Sequence, residues 1–159
     1  LAEMERLHII ADVSPLSDKG FWDIVEHSTR PFAASHSNCR ALAPHCRNLT
    51  DEMIRVMAEK GGLVGLNYCA GFLDDQPSPD LCRSTTALMA KHAAHFKQVG
   101  GIEIIGLGSD FDGIPTNPAL PGAEAMPVLW DRLKTAGFTE NQLDGIFWGN
   151  VMRVYRDAL

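Results

Sequence analysis

Four short apolar runs, each followed by a stretch of helical period, predict an α/β protein with a parallel sheet. The runs at 8–13, 31–34, 63–68 and 102–107 have the length and composition of buried strands. His36 and Asp110 stand just after the second and fourth runs, at the strand ends where parallel α/β proteins hold their chemistry. A small doubly wound sheet and half of an eight-stranded (β/α) barrel both satisfy this order with right-handed crossovers. The turn after the first run, ADVSPLSDKG, lacks the GxGxxG of a nucleotide-binding sheet, which shifts the balance to the barrel.

In chain order, LAEMER reads as the tail of a helix already under way, so the expectation is a chain that begins inside a longer one. Ser17 or Asp18 caps a helix through FWDIVEHS, whose Phe21, Trp22, Ile24 and Val25 form a broad apolar face. Thr50, with Asp51 and Glu52 in the first turn, starts a helix that Gly61 and Gly62 stop. After the third run, 69–79 reads as an irregular loop carrying Asp74, Asp75, Pro77 and Pro79. A long helix is predicted over 80–99, with Leu88, His92, His95 and Phe96 at three- and four-residue steps. His92 and His95 lack a third ligand beside them and read as a packed or solvated face. The fourth run leads into GSDFDG, a proline-rich loop, and helices to the end, with Thr139 and Gln142 forming a capping box.

The chain has 159 residues, 45% hydrophobic and 21% charged, enough for one globular core and too apolar for disorder. A net charge of -6 without a basic stripe argues against nucleic acid or an anionic membrane as partner. No apolar run approaches the roughly 20 residues of a membrane span, and the start lacks a signal peptide's pattern. Cys39, Cys46, Cys69 and Cys82 form no CxxC pair, which predicts reduced thiols in a cytoplasmic protein. A structural zinc built from His36, Cys39, His45 and Cys46 is an alternative that the wide spacing weighs against.

The stretch SHSNCRALAPHCRNLTDE concentrates the functional signal. A strand-end histidine, His36, suits metal ligation or a hydrogen-bonded packing role, and Arg47, eleven residues on, offers a planar fork for a carboxylate.

The strings DVSPLSDKGFWDIVEHSTRPFAASHSNCRALAPHCRNLTDEMI, EKGGLVGLNY and GLGSDFDG resemble the membrane (renal) dipeptidase family of zinc metallopeptidases, in its bacterial branch. The resemblance implies one domain over 1–159, the carboxyl-terminal half of a (β/α)8 TIM barrel that hydrolyses dipeptides at a two-zinc centre. It implies that His36 binds one zinc, that Arg47 holds the dipeptide's terminal carboxylate, and that Asp110 contacts substrate and shuttles the proton. Asp112 reads as structural. Where the family carries a further zinc-binding histidine in a DVSH-like motif this chain has Pro15, and the remaining ligands belong to the amino-terminal half. The expectation is therefore a partial active site, completed by a homo-oligomer or by the missing half. The alternative is a catalytically inactive half-barrel that binds ligands or serves assembly.

Overall fold

The computed structural model describes residues 1–14, 16–74 and 85–158. Pro15, the stretch 75–84 with Cys82 and the expected helix start at Asp80, and Leu159 lie outside them. The architecture is mixed α/β around a three-stranded parallel sheet in the order β1 (Ala33–Ala34), β2 (Leu63–Asn67), β3 (Ile105–Gly108). Ala33 pairs with Leu63 and Ala34 with Val64; on the other side Val64 pairs with Ile105 and Asn67 with Gly108. All five residues of β2 are buried, as expected of a central strand covered on both faces.

Each observed strand covers only part of its apolar run, and the first and last depart furthest from expectation. The run at 8–13 contributes one parallel bridge, Asp12 to Ala33, held by Val13 N–H to Ala33 C=O (2.8 Å) and Ala33 N–H to Ala11 C=O (2.9 Å). His8 is the reason: it ends α1 (Ala2–Arg6) in the left-handed conformation at φ 58°, so the chain reaches β1 only at Ala11. The run at 102–107 opens as a 3-10 turn (Ile102–Ile104), because Gly101 at φ 89° redirects the chain and Asn150 Nδ2 takes the carbonyls of Ile102 (2.9 Å) and Ile105 (2.7 Å).

The helices follow their caps. Ser17 accepts from Gly20 N–H at the head of α2 (Asp18–His27), and Thr50 accepts from Met53 N–H at the head of α3 (Asp51–Glu59). Helix α4 (Thr86–Gly100) is capped by Thr85. Helix α5 (Met126–Thr135) is followed by α6 (Glu140–Asp144), a π turn (Gly145–Gly149) and α7 (Asn150–Ala158), with the expected Thr139/Gln142 capping box in place. Phe21, Phe32, Met57, Leu66, Phe96 and Ile105 belong to one core joining sheet and helices.

Helix α7 ties down the amino-terminal ends of the strands. Arg153 donates to the carbonyls of Gly61, Gly62 and Glu103, and Arg30 donates to that of Ala158. The opposite rim, at the carboxyl ends, is left to the loops. Apolar side chains stay exposed at Leu7 and Ile9, and along Trp148, Met152 and Tyr155, which follow one another at helical spacing. No helix among the described residues is long and apolar enough to cross a membrane.

Candidate active site

The site begins with glycines. Gly65 on β2 and Gly108 on β3 are each so close to the Ser35 carbonyl that a Cβ at either would overlap it. In an open sheet, strands two apart are separated by roughly 9.5 Å. The chain leaving β1 therefore crosses the carboxyl end of β2 and comes to rest on β3, with Ser37 N–H donating to Gly65 C=O at 2.8 Å. This crossing places His36 over the sheet's rim.

His36 is half-buried, and its backbone and ring are both held. Its N–H donates to Ser14 Oγ (2.8 Å), and its Nδ1 lies 2.7 Å from Ser35 Oγ. Ser35 in turn binds the Asp12 carboxylate through its hydroxyl and through its N–H, the latter at 3.0 Å. Burial alone would raise the Asp12 carboxyl, but the Ser35 hydroxyl, the Ser35 N–H and Ser14 together hold it below its ordinary range. Asp12, Ser14 and Ser35 form the support behind the imidazole, leaving Nε2 as its outward donor atom.

Asp110 follows β3 by two residues and is a non-glycine residue in the left-handed region, at φ 58°. Its Oδ2 accepts from Asn67 Nδ2 at 3.1 Å, and its carbonyl accepts from Gly113 N–H at 2.9 Å. The same Asn67 Nδ2 donates to the His36 carbonyl at 3.2 Å. The two expected site residues on neighbouring loops are thus joined through one side chain. Asp112 is exposed beyond them.

Arg47 arrives from the loop between Asn38 and α3, half-buried, with its guanidinium over the Phe72 ring, 5.4 Å from the centroid. Its buried Nε has no hydrogen-bond partner among the described residues. Cys69 registers both ends of the site: burial pushes its thiol pKa up, the Asp110 charge adds to the rise, and the Arg47 charge opposes it.

A buried amide network lies under these groups. Asn38 Nδ2 donates to the carbonyls of Asn67 (3.0 Å) and Phe72 (3.2 Å), and Asn48 Nδ2 donates to Phe72 C=O (2.9 Å). Asn38 N–H donates to Asn48 Oδ1 at 3.2 Å. Sequence reading singled out His36, Arg47 and Asp110 and passed over Asp12, Ser35 and these asparagines. A signal exists for Asn67, which ends the apolar run of the third strand where an amide can bond neighbouring backbone.

His92 and Cys39 serve packing. His92 is fully buried, with Nδ1 accepting from Cys39 N–H (3.0 Å) and Nε2 donating to Leu73 C=O (2.9 Å). His95 meets Asp51 at 2.7 Å, linking α4 to α3. Cys39 is buried with its thiol on the His92 carbonyl, while Cys46 is exposed beside His45. Among the described residues no three His, Cys, Asp or Glu side chains gather to hold a metal, so the four-residue zinc alternative does not form.

His36 and Asp110 thus stand on the connections that leave β1 and β3, with Arg47 further along the first of them, at the carboxyl rim where parallel α/β proteins place their functional groups. The chain belongs to the membrane dipeptidase family, peptidase family M19, whose pattern matches residues 1–159. It is 34% identical over 158 residues, 99% of this chain and 58% of the other, to the Klebsiella pneumoniae "uncharacterized protein in pqqA 5'region". It is 31% identical over 159 residues to human dipeptidase 3, covering 98% of this chain and 31% of that one. Among solved structures it matches an M19 metallopeptidase, dipeptidase AC, with TM-score 0.94 and 30% identity, over 99% of this chain and 46% of that one. A Rhodobacter sphaeroides metallopeptidase, liganded with a phosphinate mimic of L-Ala-D-Ala, matches with TM-score 0.90 and 32% identity, over 99% and 45%. The chain spans about half the length of these solved relatives.

Proposed function

We propose that this chain is part of a zinc-dependent dipeptidase and supplies the substrate-gripping and proton-moving side of its active site. The observation that carries the reading is Arg47, a guanidinium held over Phe72 with a buried Nε that no group among the described residues satisfies. A buried donor without a partner is costly in an empty site and well used when a carboxylate arrives. In this reading Arg47 takes the dipeptide's terminal carboxylate and Asp110 carries a proton at the scissile bond. An anion clamp at fixed reach from the reacting bond favours dipeptides over longer peptides. The chain forms one domain, the carboxyl-terminal half of a (β/α)8 barrel, and the contact of the chain after β1 with β3 supports a curved sheet.

The metal is a family property that the donors described here do not satisfy. His36 offers one imidazole, no cluster of three ligands forms among the described residues, and one imidazole does not make a centre. In this proposal the remaining ligands come from outside the chain, from the other half or a second copy. The exposed apolar side chains Ile9, Trp148 and Tyr155 are consistent with such an association. The free thiols of Cys39, Cys46 and Cys69 fit a cytoplasmic setting.

The lack of a three-ligand cluster among the described residues equally favours a second reading, a half-barrel without catalysis that binds small anionic ligands through Arg47 or serves assembly. Zinc analysis after dialysis, with amino-acid release from Gly-D-Ala, separates the two. The dipeptidase reading expects little zinc and no hydrolysis from the 159 residues alone, and chelator-sensitive hydrolysis once a complementary amino-terminal half is supplied. A zinc-loaded reconstituted protein that cleaves no dipeptide in a broad panel would overturn it in favour of the binding half-barrel.

A further inference from the structure

We propose that Asn67 is the positioning residue of this site, fixing the Asp110 carboxylate against the backbone that carries His36; its functional half rests on the dipeptidase reading above. Asn67 closes β2, is fully buried, and has every polar atom of its side chain engaged. Its Oδ1 accepts from Cys69 N–H at 2.7 Å, and its Nδ2 donates to the His36 carbonyl and to Asp110 Oδ2. This settles the amide's orientation, because a flip would set Oδ1 against a carbonyl and a carboxylate and Nδ2 against an N–H.

A side chain needed only for packing would spend its donors on backbone. Asn67 spends one on a carboxylate 43 residues away, on a different loop. Asp110 needs the restraint: it sits in a backbone region that side chains other than glycine rarely adopt, and its Oδ1 occupies the space a Cβ at Gly113 would fill. With Oδ1 beside Gly113, Oδ2 is the oxygen that Asn67 holds. Asn67 is itself clamped, since Asn38 Oδ1 accepts from Asn67 N–H (3.1 Å) while Asn38 Nδ2 donates to Asn67 C=O. Through Asn38 and Asn48 the same network grips the Phe72 carbonyl, and the Phe72 ring carries Arg47. The amides therefore link the proton-moving and carboxylate-gripping groups through backbone rather than through solvent.

The first test is made on the 159-residue chain by NMR of the Asn67 side-chain amide. Asp110→Ala leaves Asn67 intact, so a folding defect at Asn67 cannot confuse the result. One Nδ2 proton should shift upfield and exchange faster with water in Asp110→Ala, and stay in place in Asp112→Ala. An Asn67 amide that does not respond to Asp110→Ala overturns the proposal. The second test compares Asn67→Ser and Asn67→Leu with wild type in the metal-loaded, reconstituted enzyme. The expected result is a kcat lower by about a hundredfold with KM nearly unchanged, as befits a misaimed group rather than lost binding. Folded variants with unchanged kcat also overturn it. If the wild-type enzyme cleaves no dipeptide, the dipeptidase reading falls and the NMR result alone decides whether Asn67 holds Asp110.

Discussion

The hydroxyl of Ser35 lies 2.7 Å from Nδ1 of His36 while also hydrogen-bonding the Asp12 carboxylate. A hydroxyl has one proton, and a carboxylate only accepts. The Ser35 proton therefore goes to Asp12, Nδ1 carries the hydrogen that Ser35 accepts, and Nε2 keeps its lone pair.

The first prediction follows from that order of donors. In wild type the neutral His36 ring should be the Nδ1–H tautomer, visible in long-range proton–nitrogen NMR spectra. Ser35→Ala should release the ring to a mixture of tautomers and lower stability by about 1 kcal/mol for the lost hydrogen bonds. A ring that keeps a pure Nδ1–H form without Ser35 would show that something else orients it.

The crossing of residues 35–36 over the sheet predicts an unusual intolerance of the smallest substitution. Gly65→Ala and Gly108→Ala place a methyl group on the Ser35 carbonyl, which is backbone and cannot rotate away. Each should cost about 3 kcal/mol or more in urea denaturation. Gly137→Ala is the contrast: nothing lies near its Cβ, so only the left-handed backbone at φ 99° opposes it, at about 1–2 kcal/mol.

Arg47→Leu should separate stability from function. The change removes a buried donor that the described residues leave unsatisfied and keeps an apolar contact with Phe72. Thermal unfolding should stay level or rise slightly, whereas affinity for a dipeptide or its phosphinate mimic should fall by about 2–5 kcal/mol. Equal losses in both measurements would make Arg47 a structural residue.

The pH dependence of stability should carry two signatures of the same sign. Burial pushes the His92 pKa down, partly opposed by the Leu73 carbonyl and reinforced by His95, so the folded ring stays neutral. The unfolded ring takes a proton near pH 6.5, and stability should fall as pH drops below about that value. Asp12, held low in the fold, contributes stability that is present above about pH 4 and lost as pH falls through its folded value. The gap between urea midpoints at pH 7.5 and 5.5 should narrow in His92→Gln, at a basal cost of about 1–3 kcal/mol for a stranded Cys39 N–H or Leu73 carbonyl. An unchanged gap would assign the loss to another group.

Much of the frame could be read from residue order, because capping and periodicity act over a few neighbours. Ser17, Thr50 and Thr139 head the helices their sequence contexts suggested, and 63–67 is the central strand. The first and last strands were overread because apolar runs report burial, while strand length depends on partners elsewhere. His8 turns the chain away before Ala11, and Asn150, 45 residues from Ile105, claims carbonyls at the start of β3. His36, Arg47 and Asp110 stood out through motif and residue type, and the fold brings His36 and Asp110 onto one amide. That amide could not be foreseen, since Asn67 acquires its importance only when the loops after β1 and β3 meet across β2. The expectation that this chain holds too few ligands for a metal centre rests on residue types alone, and no cluster of three His, Cys, Asp or Glu forms among the described residues.

The two glycines beneath Ser35 have a consequence for anyone redesigning this rim. The volume that side chains at 65 and 108 would occupy is filled by main chain, so exchanging rotamers or enlarging residues there cannot reshape the rim. Altering its reach or preference requires rerouting the peptide that leads into His36, and a library confined to side chains will find both positions closed.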